Sequence, residues 1–192
     1  MEAILPNPKR GARQASGRER IFLSLGSNVG RRPDNLRRAL GFLSVDPEIT
    51  VVAVSRLYST QPVGYTAQRD FLNGAVELRS RLGPRELLRR LEGIEARLGK
   101  STPFRNGPRR IDIDLVLYGG RVVLEQGLTV PHPRMHARRF VLAPLSEIAP
   151  RAVHPLLRRT AASLLAEVDD HGRVRPWGAW VPARASRGGR QA

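Results

Sequence analysis

The stretch RRIDIDLVLYGG, Arg109–Gly120, decides how this chain is read. Its aliphatic run reads as a strand, closed by a glycine pair. Side chains alternate across a strand. Ile111, Ile113, Leu115 and Leu117 therefore share one face, and Asp112, Asp114, Val116 and Tyr118 the other. The first set marks a core face. Opposite it, two carboxylates stand side by side, roughly 6.5–7 Å apart at the backbone. A carboxylate in such a place is costly unless something cationic meets it. Two adjacent carboxylates can carry divalent ions, and oxygen-only ligands suit Mg²⁺. They can also simply face solvent on an open sheet, and the strand alone leaves both readings open.

The flanking sequence favours the first reading. PFRNGPRR, Pro103–Arg110, runs straight into the strand and brings Arg105, Arg109 and Arg110 beside the acids. Acids, metal and flanking arginines are what phosphoryl transfer requires, because metals bridge phosphate oxygens and guanidiniums neutralise developing charge. TVPHPRMHARRFVLAPL, Thr129–Leu145, adds His132, His136, Arg134, Arg138, Arg139 and Phe140. Pro131 and Pro133 restrain His132 next to this basic cluster, which points to ligand contact. No spacing typical of a zinc site is present.

Tyr58–Leu78, YSTQPVGYTAQRDFLNGAVEL, contains a long connection between two strands, of the kind that often binds ligands. It ends on Phe71 and Asn73, which share a strand face. An aromatic plate beside a side-chain amide suits a flat heterocycle, although a Phe in a strand is ordinarily core. The glycine-rich GSNVG, Gly26–Gly30, lacks the phosphate-loop pattern.

Working outward, IFLSL (Ile21–Leu25) is a short strand. Pro33 and Asp34 open a helix whose Leu36, Ala39, Leu40 and Leu43 form one face. ITVVAVSRLYST (Ile49–Thr60) and FLNGAVELRS (Phe71–Ser80) read as two further strands. Pro84 opens a second helix with a stripe of Leu87, Leu88, Leu91, Ile94 and Leu98, stopped by Gly99. Gly119–Gly120 is expected to turn the aspartate strand back into RVVLE as a hairpin. Helical pieces follow near Arg138–Glu147 and Thr160–Val168. The fold class is α+β: a ferredoxin-like β-α-β-β-α-β variant, a central, mainly antiparallel sheet with helices on both faces in three layers. That fold hosts many functions and does not choose one.

The chain has 192 residues, 41% hydrophobic, which suits a single core. Residues 1–20 read as a disordered basic extension, 21–182 as one catalytic domain and 183–192 as a disordered tail. There is no cysteine, hence no disulfide. No signal peptide and no run of membrane-spanning length is evident, so a cytoplasmic protein without membrane contact is expected. Net charge is +16, with arginine far outnumbering lysine, which suggests an anionic partner. Nucleic acid is not expected to be that partner. Aromatic content is 5%, too low for the exposed aromatics of an RNA-binding sheet, and two acids oppose a polyanion.

Together these stretches resemble the 6-hydroxymethyl-7,8-dihydropterin pyrophosphokinase family of folate biosynthesis. LGSNVG, YSTQPVG, DFLNGAVEL, NGPRRIDIDLVLYG and TVPHPRMHARRFVLAPLSEIAP occur in that family's order and spacing, from about Ile21 to Pro150. The resemblance implies transfer of the β,γ-diphosphate of ATP to the pterin hydroxymethyl group, with release of AMP. It implies two Mg²⁺ ions on Asp112 and Asp114, with Arg105 and Arg109 assisting catalysis. Phe71 and Phe140 match plates that sandwich the pterin. Asn73 matches the amide that reads its edge, with Thr60 and Val63 beside it. Arg109, His132 and Arg138 match phosphate contacts, and Glu95, Leu115 and Thr129 match positions around the nucleoside. The partners expected are these small molecules, with the protein a monomer or weak homodimer. Two departures stand out: Asn106 occupies a position where the family often has Trp, and Ala137 one where an acid is common.

Overall fold

A computed structural model describes residues 19–101, 103, 104 and 106–180. Arg105, residues 1–18 of the expected extension and the tail at 183–192 lie outside the described residues. The elements run β1 (Glu19–Ser27), α1 (Arg32–Val45), β2 (Ile49–Val54), β3 (Leu57–Thr60), β4 (Phe71–Ser80) and α2 (Pro84–Arg97). Then come β5 (Asp112–Tyr118), β6 (Val123–Glu125), β7 (Leu128–Val130), a 3-10 turn (Met135–Ala137) and α3 (Arg139–Ile148). The described chain closes with β8 (Val153–His154), β9 (Arg159–Thr160), α4 (Ala161–Glu167) and β10 (Val174–Gly178). The expected β-α-β-β-α-β order is present with one strand more, β-α-β-β-β-α-β from β1 to β5. No helix among the described residues is long and apolar enough to cross a membrane.

The main sheet has the order β10-β3-β4-β1-β5, with β2 also pairing β4, and every pairing is antiparallel. β4 lies at the centre and is buried along both faces except at Arg79. On one face α1 (Leu36, Ala39, Leu43) and α2 (Leu87, Leu91, Ile94) pack on Ile21, Leu23, Leu25, Val76 and Ile113. On the other, α3 (Val141, Leu142, Leu145) and α4 (Ala161, Leu164) pack on Phe22, Ala75, Val116 and Leu117. These are the three expected layers.

Several local expectations are corrected. The alternation of β5 holds only to Leu115. Phe22 pairs with Leu117 but Leu23 with Leu115, so Val116 is an extra residue in a β-bulge. Beyond it the faces swap: Leu117 joins the α3 side, and Tyr118 the α1–α2 side. The carbonyl of Val116 accepts from the His132 amide at 2.9 Å, so the bulge anchors the basic segment. The glycine pair makes no hairpin with β5, since β6 pairs β7 in a separate ribbon turned by Gly127 at φ +73°. Ile49–Thr60 is two strands rather than one. Ser55 interrupts it, and its hydroxyl replaces a ladder acceptor for the Ala75 amide at 2.9 Å.

β10 was not expected. It pairs β3, and the buried Trp180 just beyond it donates its indole N–H to the Ser55 carbonyl at 2.7 Å. Trp180 lies over Gly74, where a Cβ would come within 2.6 Å of the ring.

β1 begins at Glu19, ahead of the expected boundary at Ile21, because Arg20 belongs to the ladder. Its guanidinium donates Nε to Glu77 Oε1 at 2.7 Å and Nη2 to Oε2 at 2.9 Å. Glu77 is 4% exposed. Arg20→Ala would leave that carboxylate buried without its partner. We expect a loss of about 1–3 kcal/mol, read from the urea midpoint at unchanged m-value.

Candidate functional site

The upper part of the α3 face is left uncovered and forms a pocket. Its floor is β1, whose alternate residues Ser24 and Gly26 point into it. Across the ladder, Gly26 lies opposite Asn73 on β4 and Asp112 on β5, and Ser24 lies opposite Asp114. Thr60 on β3 pairs with Phe71. The short side chains of β1 thus leave space between the aromatic and amide on one side and the two acids on the other. Gln61, Pro62 and Val63 form one wall; Asn106, Arg109, Arg134, Arg138 and Phe140 complete the lining. The hollow together with the solvent at its mouth spans about 640 Å³.

Asn73 is 5% exposed and donates its amide to Thr60 Oγ1 at 2.6 Å. Phe71 and Phe140 each carry a guanidinium on the ring: Arg109 Cζ is 4.9 Å from the Phe71 centroid and Arg138 Cζ 5.4 Å from that of Phe140. Each contact sets an arginine over the face of an aromatic plate.

Asp112 is heavily partnered. Arg109 Nε donates to its Oδ2 at 2.9 Å, and Lys100 Nζ to its Oδ1 at 2.9 Å. Lys100 also donates to Glu95 Oε1 at 2.8 Å, and that oxygen accepts the Ile113 amide at 2.6 Å. Burial pushes the Glu95 carboxyl up, against the downward pull of Lys100 and the Ile113 amide. Burial works to lower the Lys100 ammonium, but Asp112 and Glu95 outweigh it and leave its pKa raised.

Asp114 differs. Among the described residues no donor reaches its carboxylate, and its pKa is pushed up to about 6, first by burial and then by the charge of Asp112. Arg138, Lys100 and Arg109 oppose that rise without cancelling it. His132 is held down to about 4 by burial and by Arg138 and Arg134, so it is neutral at pH 7. Its Nδ1 accepts the Arg134 amide at 3.1 Å, which leaves Nε2 to carry the proton.

The fold thus gathers Thr60, Val63, Phe71, Asn73, Arg109, Asp112, Asp114, Arg138 and Phe140 around one hollow. Glu95, Leu115, Thr129 and His132 do not line it. Leu115 is buried on the α1–α2 side of the sheet, Glu95 is tied to Lys100 and Ile113, and Thr129 is exposed on β7. Sequence reasoning missed Ser24, Gly26, Gln61, Pro62 and Lys100, and named Arg134 only as one of a basic cluster. The alternation of β1 was the available signal for the first two, had its polar face been read as a floor.

The donor set fits a divalent cation of a particular kind. Among the described residues no group of three or more His, Cys, Asp and Glu side chains converges. Two carboxylates, one lacking a donor and disfavoured as an anion, suit an ion that completes its shell with water and phosphate oxygens. A nearby double positive charge would relieve the repulsion that raises Asp114.

Comparison with known proteins follows the same lines. The family model for 7,8-dihydro-6-hydroxymethylpterin-pyrophosphokinase (HPPK) matches residues 22–150. The chain is 44% identical over 156 residues to the 2-amino-4-hydroxy-6-hydroxymethyldihydropteridine pyrophosphokinase of Bacillus subtilis, covering 81% of this chain and 89% of that one. It is 33% identical over 171 residues to the folic acid synthesis protein FOL1 of Dictyostelium discoideum, but spans only 26% of that longer protein. Among solved structures, wild-type Plasmodium falciparum HPPK-DHPS aligns with a TM-score of 0.63 at 15% identity, over 79% of this chain and 45% of that one. This last likeness concerns the fold.

Because the proton on Asp114 binds the folded protein more tightly than the unfolded chain, its contribution to stability is present at low pH and lost as pH rises through about 6. Asp114→Asn mimics the protonated form. Without metal, the variant is expected to melt above wild type at pH 8, with the gap closing below about pH 4. Parallel melting curves across that range check this.

Proposed function

The chain belongs to the 7,8-dihydro-6-hydroxymethylpterin-pyrophosphokinase family, and on that footing we propose that it transfers a diphosphoryl group from ATP to 6-hydroxymethyl-7,8-dihydropterin, releasing AMP. The single observation that carries this reading is the division of the pocket. A plate-and-amide half (Phe71, Asn73, Phe140) faces an acid-and-arginine half (Asp112, Asp114, Arg109, Arg138) across Gly26. A flat heterocycle fits the first half and a polyphosphate the second.

The pterin ring would lie against Phe71 and Phe140, its polar edge on Asn73, with Thr60 and Val63 bordering it. Thr60 already orients the Asn73 amide, so that the carbonyl oxygen remains free to accept. The hydroxymethyl oxygen then attacks the β-phosphorus of ATP in line. The bond from that phosphorus to the oxygen bridging it to the α-phosphorus breaks, AMP departs with that oxygen, and the hydroxyl proton is released to solvent. Alignment and charge stabilisation supply the rate, and no side chain here needs to be a strong base. Asp112 and Asp114 would hold Mg²⁺, two ions in this reading, which supplies charge neutralisation and alignment of the phosphates when bound. Arg109 and Arg138 would meet phosphate oxygens, as would neutral His132 through Nε2. Arg105, adjoining the same segment in sequence, is assigned to closure over the triphosphate. The nucleoside is assigned to the region of Glu95, Leu115 and Thr129. Leu115 could act there only through its backbone, since its side chain is core. We assign the protein as a monomer or weak homodimer and place it in the cytoplasm.

AMP release from ATP, Mg²⁺ and 6-hydroxymethyl-7,8-dihydropterin tests the reading. Turnover that depends on the pterin supports it; no pterin-dependent AMP rejects it. Asp112→Ala and Asp114→Ala should each cut turnover by about 10²-fold or more, by analogy with loss of a charge-stabilising group. With Mg²⁺ and a non-hydrolysable ATP analogue, wild type should melt higher by mass action and these variants much less.

The two halves can also be separated. Phe140→Ala should weaken pterin binding more than ATP binding, by about 0.5–1.5 kcal/mol beyond lost area. Calorimetric titration of each ligand checks this, with the melting temperature measured alongside.

A further inference from the structure

The GSNVG stretch carries no phosphate-loop pattern, yet Asn28 within it is 2% exposed and fully engaged. It follows directly on β1. Its backbone N–H donates to the Arg109 carbonyl at 3.1 Å, and the Arg109 N–H donates back to Asn28 Oδ1 at 2.8 Å. Ser27 adds a bond from its hydroxyl to the Arg110 carbonyl at 2.6 Å. The pairing of β1 with β5 therefore continues past Asp112, with side chains standing in for part of the ladder.

The other end of the same amide faces the substrate loop. Asn28 Nδ2 donates to Gln68 Oε1 at 2.8 Å and to the Arg69 carbonyl at 3.2 Å. Gln68 in turn donates to the Asn106 carbonyl at 2.9 Å and the Tyr65 carbonyl at 2.6 Å. One planar group thus fixes the backbone of Arg109 from one side and the connection between β3 and β4 from the other. Only an asparagine offers acceptor and donors at this length. Aspartate keeps the acceptor and loses the donors; serine is too short to span both.

We propose that Asn28 is a positioning residue for diphosphoryl transfer: it sets the Arg109 backbone so that the guanidinium meets the phosphates, and holds the substrate loop in the same register. This rests on the functional reading above. The Arg109 side chain has several torsions and already touches Asp112, the Gly107 carbonyl and the Phe71 ring. Its reach is therefore determined by where its backbone is pinned, and a displacement of about 1 Å can cost 10²-fold in rate.

The test is a double-mutant cycle on kcat. Asn28→Ala should lower kcat by about 10–100-fold in the wild-type background. In the Arg109→Ala background it should cost less than about 3-fold, because no guanidinium remains to be misplaced. A merely structural asparagine would cost the same in both. Asn28→Asp keeps the acceptor for the Arg109 amide. It should restore kcat to within about 3-fold of wild type while the KM for the pterin rises. Hydrogen exchange at the Arg109 amide should quicken in Asn28→Ala and remain slow in Asn28→Asp.

Equal losses in the two backgrounds overturn the proposal, as does wild-type kcat in Asn28→Ala. Should Asn28→Ala not fold, Asn28→Asp decides: a kcat loss as large as that of Arg109→Ala overturns it. A wild-type protein that releases no AMP overturns the functional reading instead, which keeps the two failures apart.

Discussion

Between Asn73 and Asp112, β1 passes with no side chain at all. Gly26 pairs with the first on one side and the second on the other, and a Cβ there would stand 2.5 Å from Asn73 Oδ1. Such close approach is one of the few uses that justify glycine inside a strand, where it otherwise weakens the ladder. The cost is carried by the opposite face, where Leu23 and Leu25 are fully buried against the helices. Any larger residue at 26 would push apart the amide and the acid that have to address a single substrate complex.

Charge around that floor is arranged in pairs rather than spread evenly. Asp112 shares Arg109 and Lys100 with other acceptors, whereas Asp114 is left to repulsion and burial. A guanidinium that leaves a carboxylate for a phosphate exchanges one charge-assisted bond for another, so its movement is nearly balanced. Lys100 suits the narrow gap between Glu95 and Asp112 better than arginine would, because an ammonium is a compact charge that bonds in three directions. In a chain so rich in arginine, that lysine is a choice of shape.

Much of the scaffold was legible because buried faces repeat. The 3.6-residue stripes of α1 and α2 and the apolar runs of β1, β4 and β5 announce their partners directly. The aspartate pair was legible for the same reason, since alternation put both on one face. What failed to show were events of one residue. A single extra residue at Val116 reverses the faces of β5 without altering its composition. Ser55 ends β2 through its own hydroxyl, in a stretch dominated by β-branched residues that favour strand. VRPWG (β10) looks like a turn, because Pro176 suits only a sheet edge, and whether an edge exists depends on the rest of the sheet. Glu95 and Lys100 look like ordinary charges at a helix end until the fold brings them to Asp112. Asn28 sits in a motif too generic to read without its partners.

The position of Trp180 has a consequence for how the protein is made. Chains emerge from the ribosome N-terminus first, at about 5–20 residues per second. The hollow over Gly74 and the carbonyl of Ser55 await an indole from the far end of the described chain. β3, which carries Thr60 to the pocket wall, likewise waits for Val174 to cover its open edge. Until then the nascent sheet exposes an open strand edge beside its substrate pocket, an invitation to pair with another chain. The matched family region ends at residue 150, so its translation delivers the acids, the plates and the arginines while that edge is still bare. Birth order therefore runs opposite to structural need: the chemistry arrives early, and the strand that seals its flank comes last.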